Sequence, residues 1–163
     1  MLDQAEAARY SKGHAEFHPD TASKIVDADY DLDEACRTYA IHAWTACVFH
    51  LMRVLERGIQ RWGTNIGATM GFVTKNGAGV WRETMWGDLE KDIQKAVDAL
   101  PESTADEKEA KNNQRAAVAA LGNIRHAWRN TTMHPAAKYD DRQARDVFDT
   151  TRIFLERLVP ILK

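Results

Sequence analysis

Residues 31–62 read DLDEACRTYAIHAWTACVFHLMRVLERGIQRW, with no proline and a single glycine, Gly58. Asp31 or Asp33 can cap the start by accepting backbone N–H groups that have no partner within the helix. Ile41, Trp44, Val48, Leu51, Leu55, Ile59 and Trp62 recur at spacings of three or four, which places them on one helical face. One long helix ending near Gly63 is expected, with that face in the core. The opposite side, Thr38, His42, Thr45, Phe49, Arg53, Glu56 and Gln60, is polar except for Phe49. A purely solvated face rarely needs such a ring.

Three further periodic segments follow. Residues 88–100 turn Leu89, Ile93, Ala96, Val97 and Leu100 to one side and stop at Pro101. From Ser103 or Thr104 to about Thr132, Ala117, Leu121, Ile124, Trp128 and Thr131 form a stripe. From Asp140 or Asp141 to about Leu162, the apolar side holds Ala144, Val147, Phe148, Thr151, Phe154, Leu155, Leu158 and Val159, with Pro160 as a late kink or stop. Residues 63–80 are rich in Gly, Asn and Thr and are expected to be a long loop with one turn around 68–73. Residues 1–30 are polar and suggest a short helix with irregular packing outside the core. With no strand alternation and no internal repeat, the expectation is an all-α, antiparallel bundle of four to five helices at 31–163, preceded by the polar segment 1–30.

A chain of 163 residues suits one domain with one core. Its 44% hydrophobic and 28% charged residues exclude a disordered chain, and no apolar run approaches the roughly 18 residues a membrane span needs, so no membrane partner is expected. Acidic residues stand where an export signal would be basic and apolar, so the expected compartment is cytoplasmic. A net charge of −2 excludes sequence-independent coating of DNA, which depends on many neutralised phosphates. Cys36 and Cys47 on one continuous helix would be about 16 Å apart, too far to bridge, and read as small buried reduced residues. His14 and His18 are spaced like a helical metal pair but have no convincing third ligand, so no metal and no cofactor is expected.

The residues best suited to chemistry lie at Trp128-Arg-Asn-Thr-Thr-Met-His-Pro135. Pro135 cannot continue the helix and biases His134 away from helical geometry, so Arg129, Asn130 and His134 are expected at a helix end, turned away from the Ile124–Trp128 stripe. Guanidinium binds phosphate through bidentate, charge-assisted hydrogen bonds, and imidazole exchanges protons near neutrality. With RNA the substrate's own 2′-hydroxyl can be the nucleophile, so neither a metal nor a protein nucleophile is required.

This Arg-Asn-x3-His run resembles the Arg-x4-6-His motif of HEPN domains, and the stretch Thr45-Ala-Cys-Val-Phe-His-Leu-Met-Arg-Val-Leu-Glu56 is similar to the first long helix of many bacterial members. The resemblance covers about residues 31–160. It implies a helical bundle that pairs into a homodimer, two motif copies in one cleft and metal-independent ribonuclease activity. By the same resemblance Arg129 contacts phosphate, His134 transfers the proton and Asn130 orients them. The spacing recurs at Arg9/His14 and Arg37/His42, but only the third copy has a polar residue after Arg, a helix-end setting and a following Pro. Ala136 stands where members of nucleotidyl-transfer toxin systems often carry Tyr.

Further substrate-binding candidates are Arg53 and Glu56 with His50 alongside, either an ion pair on a solvated face or the lining of the dimer cleft. Arg125 and His126 are either solvated or in contact with the RNA backbone. Trp81 and Trp86 either pack at a helix entry or stack on bases beside Arg82. Three functions remain open: an endoribonuclease with RNA and an antitoxin or regulatory protein as partners, in toxin–antitoxin or phage defence; a non-catalytic HEPN module binding RNA, a nucleotide or a protein; or a purely structural bundle.

Overall fold

The computed structural model describes residues 3–68, 72–75, 78–81, 86–124 and 138–163, with side chains at 3–68, 89–124 and 138–163. Helix α1 (Gln4–Ser11) starts at Asp3, whose carboxylate accepts the Glu6 N–H while Glu6 accepts the Asp3 N–H, both at 2.8 Å. A 3-10 turn (Gly13–Glu16) and a short α2 (Thr21–Lys24) lead to α3 (Ala28–Ala40) and α4 (Trp44–Asn65). After strands β1 (Phe72–Lys75) and β2 (Ala78–Trp81) come α5 (Trp86–Asp98), α6 (Ala105–Ile124), α7 (Asp141–Leu158) and a last 3-10 turn over Val159–Ile161. Asp140 and Gln143 make a second reciprocal cap at the start of α7.

The stretch expected to be one helix is two. His42 takes a left-handed conformation (φ 63°), and the Ala43 N–H turns back to the Thr38 carbonyl at 2.8 Å. A non-glycine residue bears a cost of about 1–2 kcal/mol there. Local contacts offset that cost: the His42 ring stacks on Trp44 with centroids 4.9 Å apart, and its Nε2 lies 2.8 Å from the Glu6 carboxylate. The chain therefore folds back into an antiparallel hairpin, with Tyr39 against Trp44 at the turn and Asp31 against Arg57 near its open end. Ile41, assigned to the core by periodicity, is 55% exposed at the turn, and Trp44 is half-buried.

Val48, Leu51, Leu55, Ile59 and Trp62 are buried as expected, joined by Cys47, Met52 and Val54, so α4 is enclosed on more than one side. The eight residues assigned to the inner side of the last helix are all buried, seven in α7 and Val159 in the closing 3-10 turn, as are Leu89, Ile93 and Val97 of α5 and Ala117, Leu121 and Ile124 of α6. The fold is an all-α helical bundle with one small hairpin. Two buried polar side chains of α6 serve the packing. Gln114 accepts the Trp62 indole N–H, and Lys111 donates to the carbonyls of Asp98 (2.8 Å) and Leu100 (2.9 Å), which satisfies acceptors left open at the end of α5.

Two segments differ from expectation. Residues before 31 are part of the core: Phe17, Ile25 and Ala28 are buried, Phe17 packs on Phe148 with centroids 5.1 Å apart, and the Arg9 guanidinium sits 4.6 Å from the Tyr39 ring centre. The expected loop at 63–80 instead continues α4 to Asn65 and pairs β1 with β2 in antiparallel register, Phe72 opposite Trp81 and Lys75 opposite Ala78. Among the described residues no helix is long and apolar enough to cross a membrane.

The hairpin also changes the setting of the cysteines, which lie on facing helices rather than along one. Both are free and buried, and Cys36 Sγ donates to the Gly13 carbonyl at 3.1 Å. Burial pushes both thiols up, Cys47 to about 12. Both are therefore expected to resist Ellman's reagent in the native protein and to react once urea unfolds it; rapid native labelling of either would contradict this burial. Gly13 has no room for a side chain, since an added Cβ would lie 2.6 Å from Cys36 Cβ and 3.3 Å from the Asp33 backbone. Gly13→Ala is expected to cost about 1–3 kcal/mol through overpacking, read as a lower urea midpoint at an unchanged slope.

Candidate functional site

Asp31 lies in the first turn of α3 and is completely buried. A buried carboxylate needs charged or hydrogen-bonding partners, because desolvation otherwise costs several kcal/mol. Here α4 supplies three. His50 Nδ1 lies 2.9 Å from Oδ1, Arg53 Nε donates to Oδ2 at 3.2 Å, and Arg57 donates to Oδ2 at 2.7 Å and to the Asp27 carbonyl at 2.6 Å. Positions 50, 53 and 57 are three and four apart, so they share one face of α4. A carboxylate only accepts, so Nδ1 carries the proton of the His50 bond and Nε2 stays on the far side of the ring.

Two exposed rings flank this cluster. Tyr30 meets His50 edge-on at 6.2 Å between centroids and Phe49 does so at 5.9 Å, with interplanar angles of 75° and 77°. The Arg53 guanidinium lies 5.9 Å from the Phe49 ring centre, within cation–π range. The cluster sets two guanidinium groups against the Asp31 carboxylate, with Asp27, Asp29 and Glu56 on the neighbouring turns, so it carries no net positive charge. Its donors are planar and partly exposed, a form suited to phosphate or carboxylate.

The structure thus brings together His50 and Arg53, with Glu56 half-buried on the same helix. It adds Asp31 and Arg57, which the sequence alone did not single out. Asp31 had been assigned to capping, but α3 begins at Ala28 and leaves Asp31 inside the helix. The four-residue spacing of Arg53 and Arg57 was the available signal for the latter.

Arg125, His126, Arg129, Asn130 and His134 lie outside the described residues, as do the side chains of Trp81 and Trp86. The flanks of that segment are defined. The described part of α6 runs to buried Ile124, and the Tyr139 N–H donates to Thr45 Oγ1 at 3.0 Å in the first turn of α4. Thr45, Phe49 and Arg53 follow one another at spacings of four, so this anchor lies on the helical face that carries the cluster.

The other Arg-x4-His pairs have structural partners. Arg9 makes two bonds to Glu16 at 2.7 and 3.1 Å, Arg37 pairs with Glu34 at 2.7 Å, and His14 and His42 hold Asp33 and Glu6. The Asp3 N–H and His42 hold the Glu6 carboxyl below its ordinary value. His18 Nδ1 accepts the Asp20 N–H, and His14 Nδ1 faces Asp33. Among the described residues no group of three or more His, Cys, Asp or Glu side chains could hold a metal ion. No protein-family model matches the chain, and no curated protein or solved structure matches it.

Removing the carboxylate breaks three charge-assisted bonds between α3 and α4. Asp31→Ala is expected to lower stability by about 1.5–3 kcal/mol in urea titration, after allowing the freed arginines to turn to solvent. Arg37→Ala, which removes an exposed pair on the same helix, should leave the midpoint unchanged. Equal midpoints for all three proteins would mean that the cluster does not support the hairpin.

Proposed function

We propose that this chain is a HEPN-type endoribonuclease that cuts RNA without a metal, as a homodimer in the cytoplasm. The observation that carries the proposal is the Arg129-Asn130-x3-His134 run between α6 and α7, in a segment whose downstream flank is bonded to Thr45 on the α4 face bearing Phe49, His50 and Arg53. That face carries the Arg53 and Arg57 guanidinium groups and the exposed Phe49 ring, groups able to contact an RNA strand. A helical bundle is the coarse class of fold that the resemblance implies. Arg125 and His126, four and three residues before Arg129 in sequence, add donors for the RNA backbone.

In the proposed reaction His134 takes the proton of the ribose 2′-hydroxyl as its oxygen attacks the adjacent phosphorus. Arg129 neutralises the charge that builds on the phosphoryl oxygens, and Asn130 orients the pair. The bond to the 5′-oxygen breaks, and that oxygen takes a proton from a protonated imidazole, which the partner's copy of the motif supplies across the dimer. The products are a 2′,3′-cyclic phosphate and a 5′-hydroxyl. DNA lacks the nucleophile and is not cut. An antitoxin or regulatory protein that covers the site would restrain the activity in a toxin–antitoxin or phage-defence setting.

The test incubates the purified protein with end-labelled single-stranded RNA and matched DNA, with and without chelator. Cleavage of RNA alone, unaffected by chelator, is expected, with a loss of about 10²-fold or more in both His134→Ala and Arg129→Ala. Chelator-sensitive cleavage, or full activity in the variants, would overturn the mechanism. RNA that is bound yet intact across several substrates would identify a non-catalytic binding module instead.

A further inference from the structure

Helix α1 reads Gln-Ala-Glu-Ala-Ala-Arg-Tyr-Ser and buries none of its residues; only Glu6 and Arg9 are even partly covered. Eight residues are too few to hold a helix in water, since isolated helices shorter than about 12 residues are marginal even when rich in alanine. The reciprocal Asp3–Glu6 cap secures only the first turn. The contacts that keep α1 against α3 are made by its two charged side chains. Glu6 lies 2.8 Å from Nε2 of the left-handed His42, and Arg9 makes its two bonds to Glu16 at 2.7 and 3.1 Å. The same guanidinium lies 4.6 Å from the Tyr39 ring centre and 5.5 Å from that of Phe148.

Two residues beyond α1 the mode of attachment changes. Gly13 is buried without room for a Cβ, its carbonyl accepts from Cys36 Sγ at 3.1 Å, and the His14 N–H donates to Asp33 at 3.2 Å. Phe17, Thr21 and Ile25 continue the burial. The chain from Gly13 onward is thus fixed by packing. The chain before it is fixed by partly exposed polar and charged side chains, contacts that are individually weak. Lys12 stands between the two at φ −133° and ψ 38°, outside helical geometry.

We propose that α1 is a strap that opens by itself at Lys12 while the remaining bundle stays folded, and that opening lifts Arg9 from Tyr39 and Phe148 and frees His42 from Glu6. This inference goes beyond the RNA-directed reading and does not depend on it. Tyr39 and Phe148 are buried under the closed strap and meet Phe17 and Trp44 in one ring cluster. The strap therefore closes over the aromatic end of the α3–α4 hairpin. Local opening occurs where few apolar contacts have to break, and it depends weakly on urea because it exposes little surface. The His42 ring keeps its stack on Trp44 when the strap leaves, so the turn retains one of its two supports.

Hydrogen exchange of the full chain, followed residue by residue at low urea, tests this. The amides of residues 7–12 should exchange about 10²-fold or more faster than those of buried Leu51 and Leu55, with a weaker urea dependence. Arg9→Ala should speed exchange at 7–12 by about tenfold, and Glu6→Gln, which keeps the cap, by about threefold. Arg152→Ala, which removes an exposed pair on α7, should leave exchange at 7–12 unchanged. Tetranitromethane should nitrate Tyr39 faster in Arg9→Ala than in wild type, measured against the exposed Tyr30 of the same molecule. If residues 7–12 exchanged with the rate and urea dependence of Leu51 and Leu55, α1 would belong to the cooperative core and the strap would be refuted. Exchange at 7–12 as fast as in an unstructured peptide would mean that α1 never closes. Wild-type exchange in both Arg9→Ala and Glu6→Gln would remove the charged side chains as its fastening, and unchanged nitration of Tyr39 would refute the uncovering.

Discussion

The carboxylate of Asp31 is the constraint around which the α3–α4 hairpin is arranged. It is fully buried near the open end of the hairpin, and its bonds to His50, Arg53 and Arg57 span two turns of the opposing helix. The net gain from such a cluster is modest, because removing the ions from water costs nearly what their attraction returns. Its larger effect is on register. Sliding α3 along α4 by one turn would leave a buried charge with at most part of its partners, whereas the apolar contacts of Leu32, Val54 and Leu55 would tolerate the shift better. The penalty for a wrong alignment therefore exceeds the reward for the right one.

Register matters because much else hangs from the hairpin. At its closed end the left-handed His42 is held by Glu6 and Trp44, which ties α1 to the turn. One side of α3 receives the N-terminal segment through Gly13, whose close approach leaves space only for hydrogen at its α-carbon. The same segment delivers Phe17 and Ile25 to the core, against α7 and α4. A chain of this size can ill spare that buried area, since burial per residue falls as domains shrink.

The helices α5, α6 and α7 were legible because each turns a single face inward, and a three-to-four residue period reports that geometry directly. The reversal at 41–43 was not legible. Ile41 keeps the apolar period running through the break, no glycine or proline marks it, and the left-handed residue is a histidine whose conformation depends on Glu6, distant in sequence. Local propensity carries no information about such a partner. The β-hairpin had a usable sign in Asn76-Gly77 between Val73 and Val80, the dipeptide favoured in two-residue hairpin loops, but the surrounding glycines masked it. Of the cluster, His50 and Arg53 were visible as polar residues beside Phe49. Asp31 was not, since an acid near a helix start has a sufficient explanation as a cap, and burial of its charge is decided by the neighbouring helix.

These facts bear on how a rigid scaffold and a motif-bearing segment can form one site. Functional residues commonly lie on connections held by rigid elements, because the scaffold fixes the ends while the connection is free to fit the ligand. Here Ile124 is buried in the core at one end, and Tyr139 is buried and bonded to Thr45 at the other. The entropy of bringing those two ends together is therefore borne by folding, whether or not RNA is present. On the proposed function, the Arg129–His134 run therefore acts between flanks that the core and Thr45 already hold.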